Sequence, residues 1–148
     1  MNSTPIRFIF IIGHMLALTS CANEIVRPSQ DSYHLNIIDN VTKQRFDIIL
    51  ISDDDRPICV SNENWPNSSG IFTVENSEVF VESAAGIFST QSPLMSAYCP
   101  GGCGFHKIAP HSELQGFILY AAFYNSVNFA DDPSKKLRFS VSPSYCKD

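Results

Sequence analysis

The run FDIILI at residues 46–51 decides the fold, because it is an almost unbroken apolar stretch interrupted by a single aspartate. Such a run is typical of a central β-strand that is covered on both faces. Ahead of it, the run YHLNII at residues 33–38 alternates in polarity before a turn at Asp39 and Asn40. Alternation with a period of two predicts a second strand there.

Further short runs with β-forming side chains follow, each bounded by turn residues. The clearest alternation is in residues 137–142, where Leu137, Phe139 and Val141 share one face. Many short strands with frequent turns predict an all-β fold, and an antiparallel β-sandwich that is loosely similar to bacterial immunoglobulin-like domains. The other predicted strands are residues 57–60, 71–74 and 78–81.

Residues 112–124 fit two structures. Leu114, Phe117 and Ile118 have the spacing of one helical face. Against a helix, Gly116 lies inside the segment, and aromatic and β-branched side chains are frequent. We therefore expect a strand.

The N-terminal twenty residues differ in composition from the rest of the chain. An apolar run at residues 8–18 follows Arg7, the one basic residue in this region. The run is far shorter than the roughly 20 residues that span a bilayer. It matches the apolar centre of a secretory signal peptide, which is removed from the mature protein.

The sequence LTSC at residues 18–21 resembles the lipobox of bacterial lipoproteins: an aliphatic residue, two small residues and a cysteine. This resemblance implies that Cys21 becomes the new N-terminus and carries lipid, palmitate included. Ala22 follows in place of an aspartate, and the sorting pattern of enteric bacteria then implies the outer membrane, facing the periplasm. The resemblance covers residues 1–21 only.

These observations predict three regions: a signal peptide at 1–20, a lipidated N-terminus and tether at 21–32, and one domain at 33–148. A chain of 148 residues is the size of a single domain. The formal net charge of −5, with only 10 lysines and arginines, argues against a nucleic-acid partner.

The chain has five cysteines, an odd number that cannot all pair within it. With Cys21 assigned to lipid, four remain, and in an oxidising periplasm they allow three connectivities. A glycine-containing loop makes a local Cys99–Cys103 bridge easy, which leaves Cys59–Cys146. We predict these two disulfides.

A metal site is the alternative for the same region. Cys99, Cys103, His106 and His111 offer two sulfurs and two nitrogens, the ligand types of zinc. Their spacing lacks the usual Cys-x2-Cys, so we favour the disulfide. The acidic run at residues 53–55 lacks the further ligands of an EF-hand, and is predicted to be a solvated turn.

The sequence contains no nucleophile elbow and no phosphate-binding glycine loop, so no catalytic activity and no cofactor are expected. Three aromatic residues are candidates for partner contacts, although Trp65 also fits a plug at one end of the core. They are Trp65, Tyr98 and Phe105.

We therefore expect a lipid-anchored lipoprotein of the cell envelope that acts as a non-catalytic protein-binding module. Its partner would be an envelope or secreted protein, and an inhibitor or immunity-type role belongs to the same expectation by analogy. The alternatives are a structural envelope lipoprotein without a discrete ligand, and a metal-binding protein.

Overall fold

The computed structural model describes residues 25–74, 76–91 and 103–146. Within these ranges the regular structure consists of β-strands and short 3-10 turns, without an α-helix. The strands are β1 (Tyr33–Asn40), β2 (Arg45–Ser52), β3 (Ile58–Ser61), β4 (Phe80–Ser83), β5 (Gly86–Ser89), β6 (Phe105–Ile108), β7 (Glu113–Leu119), β8 (Lys136–Arg138) and β9 (Ser144–Tyr145). The 3-10 turns are Gln30–Ser32, Val41–Lys43, Tyr120–Ala122 and Ser126–Asn128.

The described strands form three antiparallel sheets of three strands each. The first has the order β1-β2-β7, the second β6-β3-β9 and the third β5-β4-β8. The predicted all-β antiparallel class is therefore confirmed.

Strand β2 is central, as predicted, but only one of its faces is fully buried. Phe46, Ile48, Leu50 and Ser52 are buried, and the residues between them are partly exposed. Strand β1 pairs with β2 over all eight of its residues. It continues through Asn40, where the sequence predicted a turn, because the chain reverses in the 3-10 turn Val41–Lys43.

Residues 112–124, whose sequence fits both a helix and a strand, form strand β7 up to Leu119, as expected. The segment then forms the 3-10 turn Tyr120–Ala122. Its internal glycine has a packing role, because a Cβ at Gly116 would lie only 2.9 Å from Nε1 of Trp65. The indole can cover this strand only because residue 116 has no side chain.

Three of the predicted strands differ from the structure. In place of residues 78–81, the paired strand is β4, Phe80–Ser83. Residues 71–74 form no strand, because the backbone turns tightly before them: Gly70 has a φ of 73° and the Asn67 amide donates to Ile71 O. In the 137–142 run only β8 is paired, although Phe139 and Val141 are buried as the alternation predicted.

All three sheets contribute side chains to one hydrophobic core. Aromatic rings fill much of it, and Phe129 contacts the rings of Phe88, Tyr120 and Phe123 at centroid distances of 5.0, 5.6 and 5.9 Å. Such tilted and edge-on contacts are the preferred arrangements of aromatic pairs.

The predicted Cys59–Cys146 disulfide is present and joins residues 87 positions apart. It ties β3 to the residue that follows β9. It therefore closes most of the described domain into one covalent loop.

Replacing both Cys59 and Cys146 by serine should lower the free energy of unfolding by about 4–5 kcal/mol, the chain-entropy value for a loop of this length. Urea denaturation followed by tryptophan fluorescence measures the change. Ser144→Ala, two residues away in β9, serves as the control and should cost below about 0.5 kcal/mol. A loss of less than about 1 kcal/mol in the double variant would contradict the stabilising role.

Candidate functional site

A polar cluster lies between the edge of β1 and the start of β8. Asp39, on the inner face of β1, is paired in register with Phe46 of β2. Lys135 directly precedes β8, and its side chain is 1% exposed. Its Nζ lies 3.0 Å from Oδ2 of Asp39. This ion pair joins an edge of the first sheet to an edge of the third.

Tyr120 completes the cluster. Its hydroxyl donates a hydrogen bond to Oδ1 of Asp39, and Nζ of Lys135 lies 5.1 Å from the centre of its ring. Burial raises the pKa of Tyr120 strongly, with further contributions from the hydrogen bond to Asp39 and the charges of Asp39 and Asp131. The phenol therefore stays protonated and remains a donor to the carboxylate.

A cleft of about 270 Å³ opens beside this cluster. Its walls come from the two strand edges and from Phe46 of β2. Two of the cations along it differ in pairing: Arg138 contacts Glu82 of β4 at 2.7 Å, whereas Lys136 makes no ion pair within the described part of the chain. The lining residues are Ile37, Asp39, Phe46, Lys135, Lys136, Leu137 and Arg138.

The two edges of the first sheet, β7 and β1, differ in what covers them. The β7 edge is covered by a loop, since the Leu119 amide donates to Gly70 O at 3.0 Å and Trp65 packs on Gly116. Among the described strands, none pairs with the outer edge of β1. That edge carries the exposed apolar side chains of Ile38 and the neighbouring Val41.

Trp65 is buried in the core, which fits its interpretation as a plug at one end of the core. It is 2% exposed, and its ring lies 5.9 Å from Phe139 and 6.5 Å from His106. It also lines a cavity of about 420 Å³, together with Asn62 and Cys103. In this cavity wall Asn62 Nδ2 donates to Cys103 O at 2.8 Å.

Of the other two aromatic candidates, only Phe105 lies in the described residues, and it is not in the core with Trp65. Phe105 is 63% exposed and projects from the face of β6 opposite to His106. Tyr98 lies outside the described residues. The proposed contact set of three aromatics is therefore not assembled within the described structure.

Of the four candidate metal ligands, Cys103 and His106 line the same cavity. Cys103 is disulfide-bonded. Its predicted partner Cys99 is outside the described residues, so the Cys99–Cys103 pairing stays a prediction. His111 points elsewhere, with Nε2 2.8 Å from Oδ1 of Asp55. Within the described ranges no three His, Cys, Asp or Glu side chains form a group that could hold a metal ion.

The acidic turn after β2 is bound to neighbouring side chains. Asp53 contacts His34 at 3.0 Å, and Asp55 contacts His111. Asp54 accepts hydrogen bonds from the Arg56 amide and from the hydroxyl of Tyr145, and its pKa is lowered chiefly by the Arg56 amide. The Tyr145 hydrogen bond joins this turn to the second sheet, and the His34 contact joins it to the first.

The N-terminal predictions fall on residues 1–24, which lie outside the described ranges. The signal peptide and the lipidation of Cys21 therefore stay predictions. In the part of the chain that is described, no helix combines the length and apolar character needed to cross a membrane. No protein-family model matches the chain, and no curated protein matches its sequence.

Sequence reasoning missed the cluster of Asp39, Lys135 and Tyr120. Asp39 was assigned to a turn, and Lys135 stands in a polar stretch next to Lys136. One signal was present in the sequence. Leu137, Phe139 and Val141 share one face by alternation, and extending this alternation back by two residues places Lys135 on the same, buried side. A lysine at such a position needs an internal partner.

Lys135→Met keeps the buried volume but leaves the Asp39 carboxylate without its cation. We expect the free energy of unfolding to fall by about 2 kcal/mol, less than for a fully buried pair, because the Asp39 side chain is 32% exposed and keeps its hydrogen bond from Tyr120. Chemical denaturation at neutral pH gives the value.

Arg138→Met removes a cation from the exposed Arg138–Glu82 pair and is the matched control. It should cost below about 1 kcal/mol, as surface pairs do. Equal losses in the two variants would show that the Lys135–Asp39 pair is energetically a surface pair.

Proposed function

We propose that the protein is a lipid-anchored, non-catalytic protein-binding module of the bacterial cell envelope, and that its partner adds an extended segment to the free edge of β1. The observation that carries this proposal is the state of that edge. Strand β1 has eight residues, and no described strand covers its outer side.

Exposed edges of this length are usually protected by proline, by lysine, by a bulge or by a covering element. Strand β1 has neither proline nor lysine, and its register with β2 is continuous. An edge strand directs part of its N–H and C=O groups away from its sheet, where an added strand can pair with them. The exposed side chains of Ile38 and Val41 supply apolar contact area beside these groups.

The anchor belongs to the same proposal. Lipid on Cys21 would hold the domain at the outer membrane, facing the periplasm, through the tether at residues 21–32. Each buried CH₂ of an acyl chain contributes about 0.8 kcal/mol, and more than one chain anchors stably. The partner is then an envelope or secreted protein, and an inhibitor or immunity-type role falls within this class.

The finer architecture is also proposed. An immunoglobulin-like sandwich is supported by the shared core of the three sheets. A second disulfide, Cys99–Cys103, is supported by the bonded state of Cys103. The same observation disfavours the metal-binding alternative, because zinc is bound by cysteine as a free thiolate.

Ile38→Lys places the residue that natural edges use for protection on the outer face of β1. Ile38 is 55% exposed and lies opposite Asp47, which is paired with Arg45, so a lysine at this exposed position should change the stability of the sheet little. We expect the variant to lose a partner that the wild-type protein retains from envelope extract, measured by quantitative cross-linking.

Ile87→Lys is the matched control. Ile87 is 69% exposed on the edge strand β5 and lies opposite Glu82. The variant should retain the same partner as the wild type. If Ile38→Lys also retains it, or if no species is enriched over the extract, the structural-lipoprotein alternative replaces the binding proposal.

Cys21→Ser tests the anchor separately. Without the thiol no lipid can be attached, so the protein should move from the membrane fraction to the soluble fraction in its native host. Fractionation and immunoblotting measure this shift. Membrane association that survives the substitution would refute the lipobox interpretation.

A further inference from the structure

We infer that the cleft between β1 and β8 selects the partner segment by accepting one acidic side chain, a glutamate, from it. This inference rests on the proposed function of β1 and adds a specificity to it. The backbone groups at the free edge of β1 would pair with the added strand. The inner-face side chains of β1 line the cleft.

The geometry follows from the register. A strand that pairs with β1 sends alternate side chains to the inner face, where directly opposite Cβ atoms are about 5 Å apart. The inner-face residues at this end of β1 are Ile37 and Asp39, and both line the cleft. The inner-face side chain beside them therefore enters the cleft, with residues 136–138 of β8 forming the other wall.

The charges around the cleft favour an anion. Both carboxylate oxygens of Asp39 are occupied, Oδ2 by Lys135 and Oδ1 by Tyr120. The charge of Asp39 is thus already compensated by Lys135, which weakens its attraction for an incoming basic side chain. Glu82 lies opposite Lys136 in register but contacts Arg138, so Lys136 remains the cation without an ion pair in the described structure.

The apolar part of the lining favours glutamate among acidic groups. Ile37, Phe46 and Leu137 provide hydrocarbon surface next to Lys136. A glutamate can place its two methylene groups on this surface and bring its carboxylate to the ammonium. A side chain with an apolar stem and a charged end fits such a mixed site.

The test uses three synthetic peptides of the form acetyl-TVTXTVT-amide, where X is Glu, Gln or Lys. Their affinities for the full chain in detergent micelles are measured by fluorescence anisotropy of the labelled peptide. We expect the Glu peptide to bind about tenfold more tightly than the Lys peptide, since an attraction to Lys136 is exchanged for a repulsion.

Lys136→Glu should reverse this order of affinities. Lys107→Glu is the control, because Lys107 is an exposed lysine on β6, in the second sheet. It should leave the order unchanged. Equal affinities of the Glu and Lys peptides, an equal effect of both variants, or no binding of any peptide would overturn the inference.

The two proposals can fail separately. Loss of the envelope partner in Ile38→Lys, together with indifference of all peptides to Lys136→Glu, would leave the binding function standing without its acidic specificity. Retention of the partner in Ile38→Lys would remove the function on which the inference rests.

Discussion

Burial of one face of β2 is the constraint on which the rest of the described structure depends. Phe46, Ile48 and Leu50 are each no more than 1% exposed, and they lie in the core shared by all three sheets. A slip of one residue would turn this face towards solvent, so the register is strongly specified. Because β1 pairs with β2 along its whole length, the same register places Asp39 on the inner face. The buried ammonium of Lys135 then finds its anion in Asp39, whose side chain is 32% exposed.

The two edges of the first sheet differ because a loop packs on β7 but not on β1 in the described structure. Gly116 lets Trp65 pack directly on β7, and the loop that contains Trp65 hydrogen-bonds to the same strand through Gly70. The β7 edge is thereby covered by the loop that contains Trp65. In the described ranges no strand pairs with the outer edge of β1, and the cleft lies beside this edge.

The fold was predictable where local periodicity and tertiary packing agree. The alternation of residues 33–38, the apolar run of 46–51 and the pairing of Cys59 with Cys146 all follow from short-range pattern or cysteine arithmetic. The strand prediction for residues 71–74 was wrong because Phe72 reaches the core from a loop. High β-propensity does not produce a strand where no neighbouring strand is available for pairing. The cluster of Asp39, Lys135 and Tyr120 was missed because its members are far apart in sequence and meet only after the sheets pack.

The Lys135–Asp39 pair is better understood as a geometric device than as a source of stability. A buried ion pair often contributes no more than apolar residues of similar volume would, because desolvation of the charges offsets their attraction. The ion pair, together with the hydrogen bond from the Tyr120 hydroxyl, links the two edges and compensates the charge of Asp39. Within the proposed function, this compensation leaves Lys136 as the charge that an incoming chain would meet.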